Sequence, residues 1–220
     1  MVSHEVEDVL RDLLLERGYS ILVPESMLAR KDDGRLLLGG LFMVEDRPGK
    51  LRLIFDKRST NFGEVPLKWF QLLMGSMFGR LRLSDSQLLR GSGYDLESFF
   101  NRLRQHPSAL PRAAFGRRVL PEVARCFGLD VREPCRQVVA VCGMGGLNCP
   151  AIAQETHLAV LRASGIKTES FLKWGHALPE GPCFSGIFYD DLVVAAIIES
   201  DLAYKPEGGC VFDQDRIGPV

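Results

Sequence analysis

The chain has 220 residues, 46% of them hydrophobic and 25% charged, enough for one large core or two small ones in a globular protein. No apolar run reaches the roughly 18 residues of a membrane span, and Met1 to Tyr19 is too acidic for a secretory signal, so an intracellular setting and no membrane partner are expected. The formal net charge of −1 carries no global basic signal, so any nucleic acid must be held by local patches.

In chain order, Val6, Val9, Leu10, Leu13 and Leu14 fall at i, i+3, i+4, i+7 and i+8, the apolar stripe of a helix capped by Ser3, stopped by Gly18 and suited to packing on a sheet. A hairpin follows: Leu36 to Val44, a turn over Asp46-Arg47-Pro48-Gly49, then Lys50 to Asp56. Its second strand alternates Leu51, Leu53 and Phe55 with Arg52, Ile54 and Asp56, which puts Arg52 and Asp56 on the face opposite the apolar one. Between Thr60 and Arg90 no clean period emerges, and Lys68 to Phe78 reads as a short helix.

The chain then turns at Gly91-Ser92-Gly93 and enters a helical pattern that runs to Arg104, with Asp95 before it and Phe99 and Phe100 inside it. Asp95 reads two ways, as a helix cap or as a metal ligand beside a nucleotide pocket. Arg102, Arg104, Arg112, Arg117 and Arg118 gather around a proline-broken loop, a solvated face or a phosphate contact. Gln137 to Val141 reads as a buried strand leading into the glycine loop Cys142 to Pro150 and a helix from Ala151 to Ala163, ended by Gly165. Pro150 suits a first helical turn, and the loop glycines admit close approach of a substrate to the backbone. Strand, glycine loop and helix also describe a dinucleotide-binding turn, but Asn148 stands where G-x-G-x-x-G needs glycine and no βαβ repeats follow.

The six cysteines form no C-x-x-C pair, which points to buried free thiols rather than zinc. Gly186 to Ile198 sets Asp190 and Asp191 between two apolar segments and reads as strand, tight turn, strand. Successive side chains on a straight strand face opposite ways, so both acids serve one site only if the chain bends there. The pair is a solvated turn or a set of hard oxygen ligands for a divalent cation.

Four blocks, in this order, resemble the fingers and palm of a retroelement reverse transcriptase. Arg52-Leu-Ile-Phe-Asp56-Lys-Arg58-Ser-Thr-Asn61 is similar to the fingers pattern R-x-x-x-D-x-R-x-x-N. Asp95-Leu-Glu-Ser-Phe-Phe100 resembles the first palm block, and Met144-Gly145 with Pro150-Ala-Ile-Ala-Gln154 the second. Phe188-Tyr189-Asp190-Asp191 fits the [FY]-x-D-D of the third. Two departures accompany them: Met144 stands where many relatives carry Gln or an aromatic, and Gly91 and Gly93 interrupt the strand before Asp95.

The resemblance implies an α+β fold of the polymerase right-hand kind, with fingers and palm, an antiparallel palm sheet backed by helices, and the thumb absent. Residues 1–35 would be an N-terminal helical extension, 36–90 fingers-like, 91–200 palm-like and 201–220 a tail, with the thumb supplied by a longer chain or another subunit. The implied activity is template-directed DNA synthesis from an RNA template, a DNA primer and deoxynucleoside triphosphates. Asp95, Asp190 and Asp191 would hold two magnesium ions, or manganese, roughly 4 Å apart. Arg52 would neutralise the triphosphate, Phe100 would exclude a sugar 2′-hydroxyl, and Met144, Gly145 and Gly146 would border the new base pair. Asp56 and Arg58 would brace the fingers as an internal ion pair. Three readings compete with an active reverse transcriptase: an RNA-dependent RNA polymerase, which would need a polar residue in place of Phe100; an inactive relic or non-catalytic nucleic-acid-binding module; and a dinucleotide-binding protein.

Overall fold

The computed structural model describes residues 4–67, 71–168 and 171–202. Its helices are α1 (His4–Glu16), α2 (Arg58–Asn61), α3 (Phe99–Arg102), α4 (Pro121–Cys126) and α5 (Cys149–Ala163). Its strands are β1 (Ser20–Pro24), β2 (Gly40–Arg47), β3 (Lys50–Asp56), β4 (Gln87–Asp95), β5 (Ala114–Val119), β6 (Cys135–Val139), β7 (Cys183–Phe188) and β8 (Asp191–Glu199). Among the described residues the fold is thus mixed, with several helices and three small sheets whose strands pair antiparallel. The parallel βαβ framework that a dinucleotide-binding protein needs is not found among the described residues. Nor is any described helix long and apolar enough to cross a membrane.

The chain divides into two compact units, Met1–Lys68 with Ser98–Ala153, and Trp69–Glu97 with Gln154–Val220. In the first, the sheet runs β1-β6-β5 with β6 at its centre. Cys135, Gln137, Val138 and Val139 of β6 are all buried, as befits a strand covered on both faces. The buried polar side chain is satisfied: Gln137 Nε2 donates to Arg11 O at 3.0 Å and to Ser20 Oγ at 2.8 Å. Helix α1 packs Leu10 and Leu14 on this core, whereas Val6 and Val9 of the expected stripe are exposed. It ends as expected, with Gly18 in the left-handed region at φ 66° and Tyr19 N donating to Leu14 O at 2.9 Å.

The hairpin starts at Gly40 rather than Leu36 and turns through Pro48-Gly49, with a register shift between Glu45 and Arg47. Burial grows along β3, from an exposed Leu51 to a buried Phe55. Phe55 meets Phe115 edge to face, with ring centroids 5.7 Å apart, and burying such a ring contributes about 2–3 kcal/mol.

In the second unit the sheet order is β4-β8-β7. The expected turn at Gly91-Ser92-Gly93 does not occur: β4 runs straight through, pairing Gly91, Ser92 and Gly93 with Ala195, Val194 and Val193. The long apolar partner β8 holds the ladder that the two glycines by themselves disfavour. The helix expected over Lys68 to Phe78 is also corrected. Its first three residues lie outside the described ones, residues 71–74 form no regular element, and only Gly75–Arg80 forms a 3-10 turn. Leu73 and Met77, with Leu172 and Phe184, build one core of this unit, and Leu73 N donates to Ile187 O at 3.1 Å. A second core joins Leu158 of α5 to Phe171 and Ile187.

Candidate functional site

Phe188 pairs with Asp191, so β7 and β8 are joined by the two-residue turn Tyr189-Asp190. Tyr189 takes φ 58°, a conformation disfavoured by about 1–2 kcal/mol for a residue with a Cβ. Helix α5 holds it there. Gln154, buried, accepts from Tyr189 N at 2.8 Å and donates through Nε2 to Ile187 O at 3.3 Å and Gln71 O at 3.0 Å. Three residues on, buried His157 places Nδ1 2.9 Å from Tyr189 O, and since a carbonyl only accepts, the ring donates from Nδ1–H.

The tight turn is the bend that two adjacent acids require if they are to share a site. Asp190 sits in it, and Asp191 opens β8 opposite Asp95, the last residue of β4. Leu96 N donates to Asp190 O at 3.2 Å, tying the ends together. Asp95 is therefore at a strand end rather than capping a helix, and α3 begins four residues later. The carboxyl of Asp191 is held above the usual carboxylate range, first by partial burial and then by the charges of Asp190 and Asp95, with His157 acting in the opposite direction.

Three carboxylates supply the hard oxygen donors that magnesium prefers, and their mutual repulsion is what a cation relieves. The donor chemistry fits. The side-chain placement is looser: no group of three or more His, Cys, Asp or Glu side chains among the described residues is arranged to hold a metal ion. Backbone register brings the acids to one end of one sheet, and rotation of the side chains is needed to converge them.

The other sequence-predicted residues belong to the first unit. Arg52 projects from β3, half exposed, and pairs with Asp46 at 2.6 Å. Arg58 grips Asp56 with two bonds of 2.8 and 2.6 Å. The Arg58 guanidinium holds the Asp56 carboxyl down to about 2. With 88% of the Arg58 side chain exposed, this is a surface clasp rather than the internal brace expected. Phe100 is partly buried on α3. Met144 is exposed, and its carbonyl accepts from Phe55 N at 3.1 Å.

The glycines of the loop have close neighbours within the chain. A Cβ on Gly145, at φ 112°, would stand 2.0 Å from Phe55 O, and one on Gly143 would stand 2.3 Å from the Phe55 ring. A Cβ on Gly146 would stand 2.5 Å from Cys149 Sγ. Asn61 clasps the same loop, donating to Gly145 O at 2.8 Å and accepting from Leu147 N at 3.1 Å. Four of the five arginines of the basic cluster are likewise engaged internally. Arg117 pairs with Glu7 at 2.6 Å and Arg118 with Glu25 at 3.0 Å, while Arg112 and Arg104 donate to the carbonyls of Gly63 and Gly18.

Sequence reasoning gave no role to His157 and none to Gln154 in holding the turn. The available signal was two polar residues three apart on the α5 face that also carries buried Ala153 and Leu158.

No protein-family model matches the chain, and no curated protein matches it in sequence. Among solved structures it is similar to the foamy viral protease-reverse transcriptase dRH in complex with double-stranded DNA, with a TM-score of 0.50 and 17% identity. The match covers 87% of this chain but only 25% of the viral one, and it is a likeness of fold.

Proposed function

We propose that the acidic end of the second unit's sheet is the palm site of a reverse-transcriptase-like nucleotidyltransferase of fingers-and-palm architecture, with fingers-like residues 36–90 and palm-like residues 91–200. The observation that carries this reading is Asp95 standing opposite Asp191, with Asp190 in the adjoining hairpin turn. The fold likeness to a reverse transcriptase bound to DNA supports it, as does the order of the four sequence blocks. Magnesium or manganese bound by these acids would supply positive charge against the charge that builds on a transferring phosphoryl group.

The chain's own residues have separable parts in this reading. Gln154 and His157 keep the turn bent so that Asp190 and Asp191 stay on one site. Arg52, released from Asp46, meets the β- and γ-phosphates of a deoxynucleoside triphosphate with a rigid fork of donors. Phe100 leaves no volume for a 2′-oxygen, and Met144, Gly145 and Gly146 border the templating base pair.

Primer extension on an RNA template with a DNA primer tests the proposal. Incorporation that depends on template, falls to background in Asp190→Asn and admits ribonucleotides in Phe100→Val is the expected result. Incorporation unchanged in Asp190→Asn overturns the assignment of the site. A second reading, a nucleic-acid-binding module without catalysis, is favoured by carboxylates that do not converge. It is distinguished by duplex binding with no incorporation under any divalent cation.

A further inference from the structure

A cavity of about 460 Å³ in the first unit is lined by Lys57, Glu64, Cys142, Asn148 and Cys149 among others, five residues to which the proposed function gives no role. Lys57 is 6% exposed and pairs with no carboxylate among the described residues. A buried ammonium in no close ion pair is costly, and the cavity sets two thiols and the Glu64 carboxylate around it. Cys149 is buried and opens the 15-residue helix α5, where unpaired backbone N–H groups favour negative charge. Cys142, at 0% exposure, lines the same cavity as Cys149. The point where a Cβ of residue 146 would stand is 2.5 Å from Cys149 Sγ and 3.5 Å from Lys57 Nζ, so sulfur and ammonium flank the same spot at the cavity wall.

These contacts divide the labour between the two sulfurs. The Cys149 thiol is lowered by the hydrogen bond from Cys142 and then by Lys57, against burial and the charge of Glu64. The Cys142 thiol is pushed up by the same hydrogen bond and by burial. Cys149, beside Lys57 and at the start of α5, is the sulfur placed to ionise, and Cys142 the one placed to keep its proton.

We propose that Cys149 is a peroxide-reactive thiol and Cys142 its resolving partner, so that a hydroperoxide closes an intrachain disulfide across the glycine loop. The Cys149 thiolate attacks the terminal peroxide oxygen: an S–O bond forms, the O–O bond breaks, and the departing oxygen leaves as alcohol or water after taking a proton. Cys149 is then a sulfenic acid. Cys142 attacks its sulfur, forming S–S and breaking S–O, and the hydroxide leaves as water with the Cys142 proton. Two thiols lose two electrons and two protons, and the hydroperoxide is reduced to alcohol and water. The bridge ties Cys142 to Cys149 on either side of Met144, Gly145 and Gly146. Resting on the polymerase reading, it is a redox lock on the loop that borders the base pair.

The test treats the whole chain with hydrogen peroxide and maps cysteines by mass spectrometry after alkylation, with no nucleotide or template involved, so its outcome is independent of polymerase activity. The expected product is a Cys142–Cys149 disulfide, formed at least about ten-fold faster than Cys126 or Cys183 is oxidised, because thiolate content sets the rate. Cys142→Ser is expected to leave a sulfenic acid on Cys149 that a dimedone probe traps, Cys149→Ser to give neither product, and Lys57→Met to slow the reaction. Earlier oxidation of the exposed Cys126 or Cys183 overturns the proposal, as does a Cys142→Ser variant whose Cys149 traps no dimedone.

Discussion

The acidic end of the β4-β8-β7 sheet and the glycine loop between β6 and α5 treat their unusual residues in opposite ways. In the loop, the glycines that the sequence marks for substrate have close neighbours within the chain. Gly143 and Gly145 make room for Phe55, Gly146 makes room for Cys149, and Asn61 takes up two backbone groups. At the sheet end, the backbone register sets three acidic residues at one edge with no ion pair among the described residues, and the Asp191 carboxyl is raised by burial and by its neighbours. A residue type explained by packing says little about ligands, whereas charge gathered against its own repulsion points to a partner that compensates it.

The sharpest way to break this contrast is to substitute the loop. Gly145→Ala places a Cβ 2.0 Å from the Phe55 carbonyl at a φ of 112°, so it is expected to destabilise the fold by more than about 3 kcal/mol in urea denaturation. A change within about 0.5 kcal/mol would show that the loop glycines are free of that constraint. Next in size is Gln154→Ala, which leaves Tyr189 N without its acceptor in a buried setting and is expected to cost about 1–3 kcal/mol. Because this change releases the turn rather than the acids themselves, it should also weaken cation binding without removing a ligand.

Asp191→Asn is the smallest effect and has a defined pH signature. A carboxyl whose pKa is raised on folding contributes stability that is fully present below its unfolded pKa and is lost as pH rises through the folded value. The parent therefore loses stability on that rise and the amide does not. The variant is expected to equal the parent near about pH 3 and to exceed it near about pH 7, by about 0.5 kcal/mol or less after solvent screening. Thermal melts at the two pH values check the sign, and an amide less stable at neutral pH would mean that the three acids do not repel one another.

Much of the hairpin end was legible in advance because its signals are local. The β7-β8 hairpin and helix α5 follow from apolar segments flanking Asp-Asp and from Pro150 at a first turn, with the turn itself one residue earlier than the two acids that mark it. What was not legible depends on partners distant in the chain. Gly91 and Gly93 read as a turn because local propensity is all that a single sequence exposes, and only the register of β8 makes them strand. Strand β1 escaped notice because Ser20–Pro24 is short and is ordered by β6, more than a hundred residues on. The pairing of Arg52 with Asp46 across a hairpin turn was hidden in the same way, since the motif shows an arginine and not what it touches. His157 was missed because the polar pair Gln154 and His157 on the buried face of α5 marks a polar contact without naming the backbone carbonyl that receives it.

The central claim is that Asp95, Asp190 and Asp191 together bind a divalent cation. Titration of the whole chain with manganese, followed by electron paramagnetic resonance, tests it most directly. Saturable binding that is competed by magnesium and lost in both Asp95→Asn and Asp190→Asn is the result predicted. Binding that is absent in the parent, or that survives both substitutions unchanged, contradicts it.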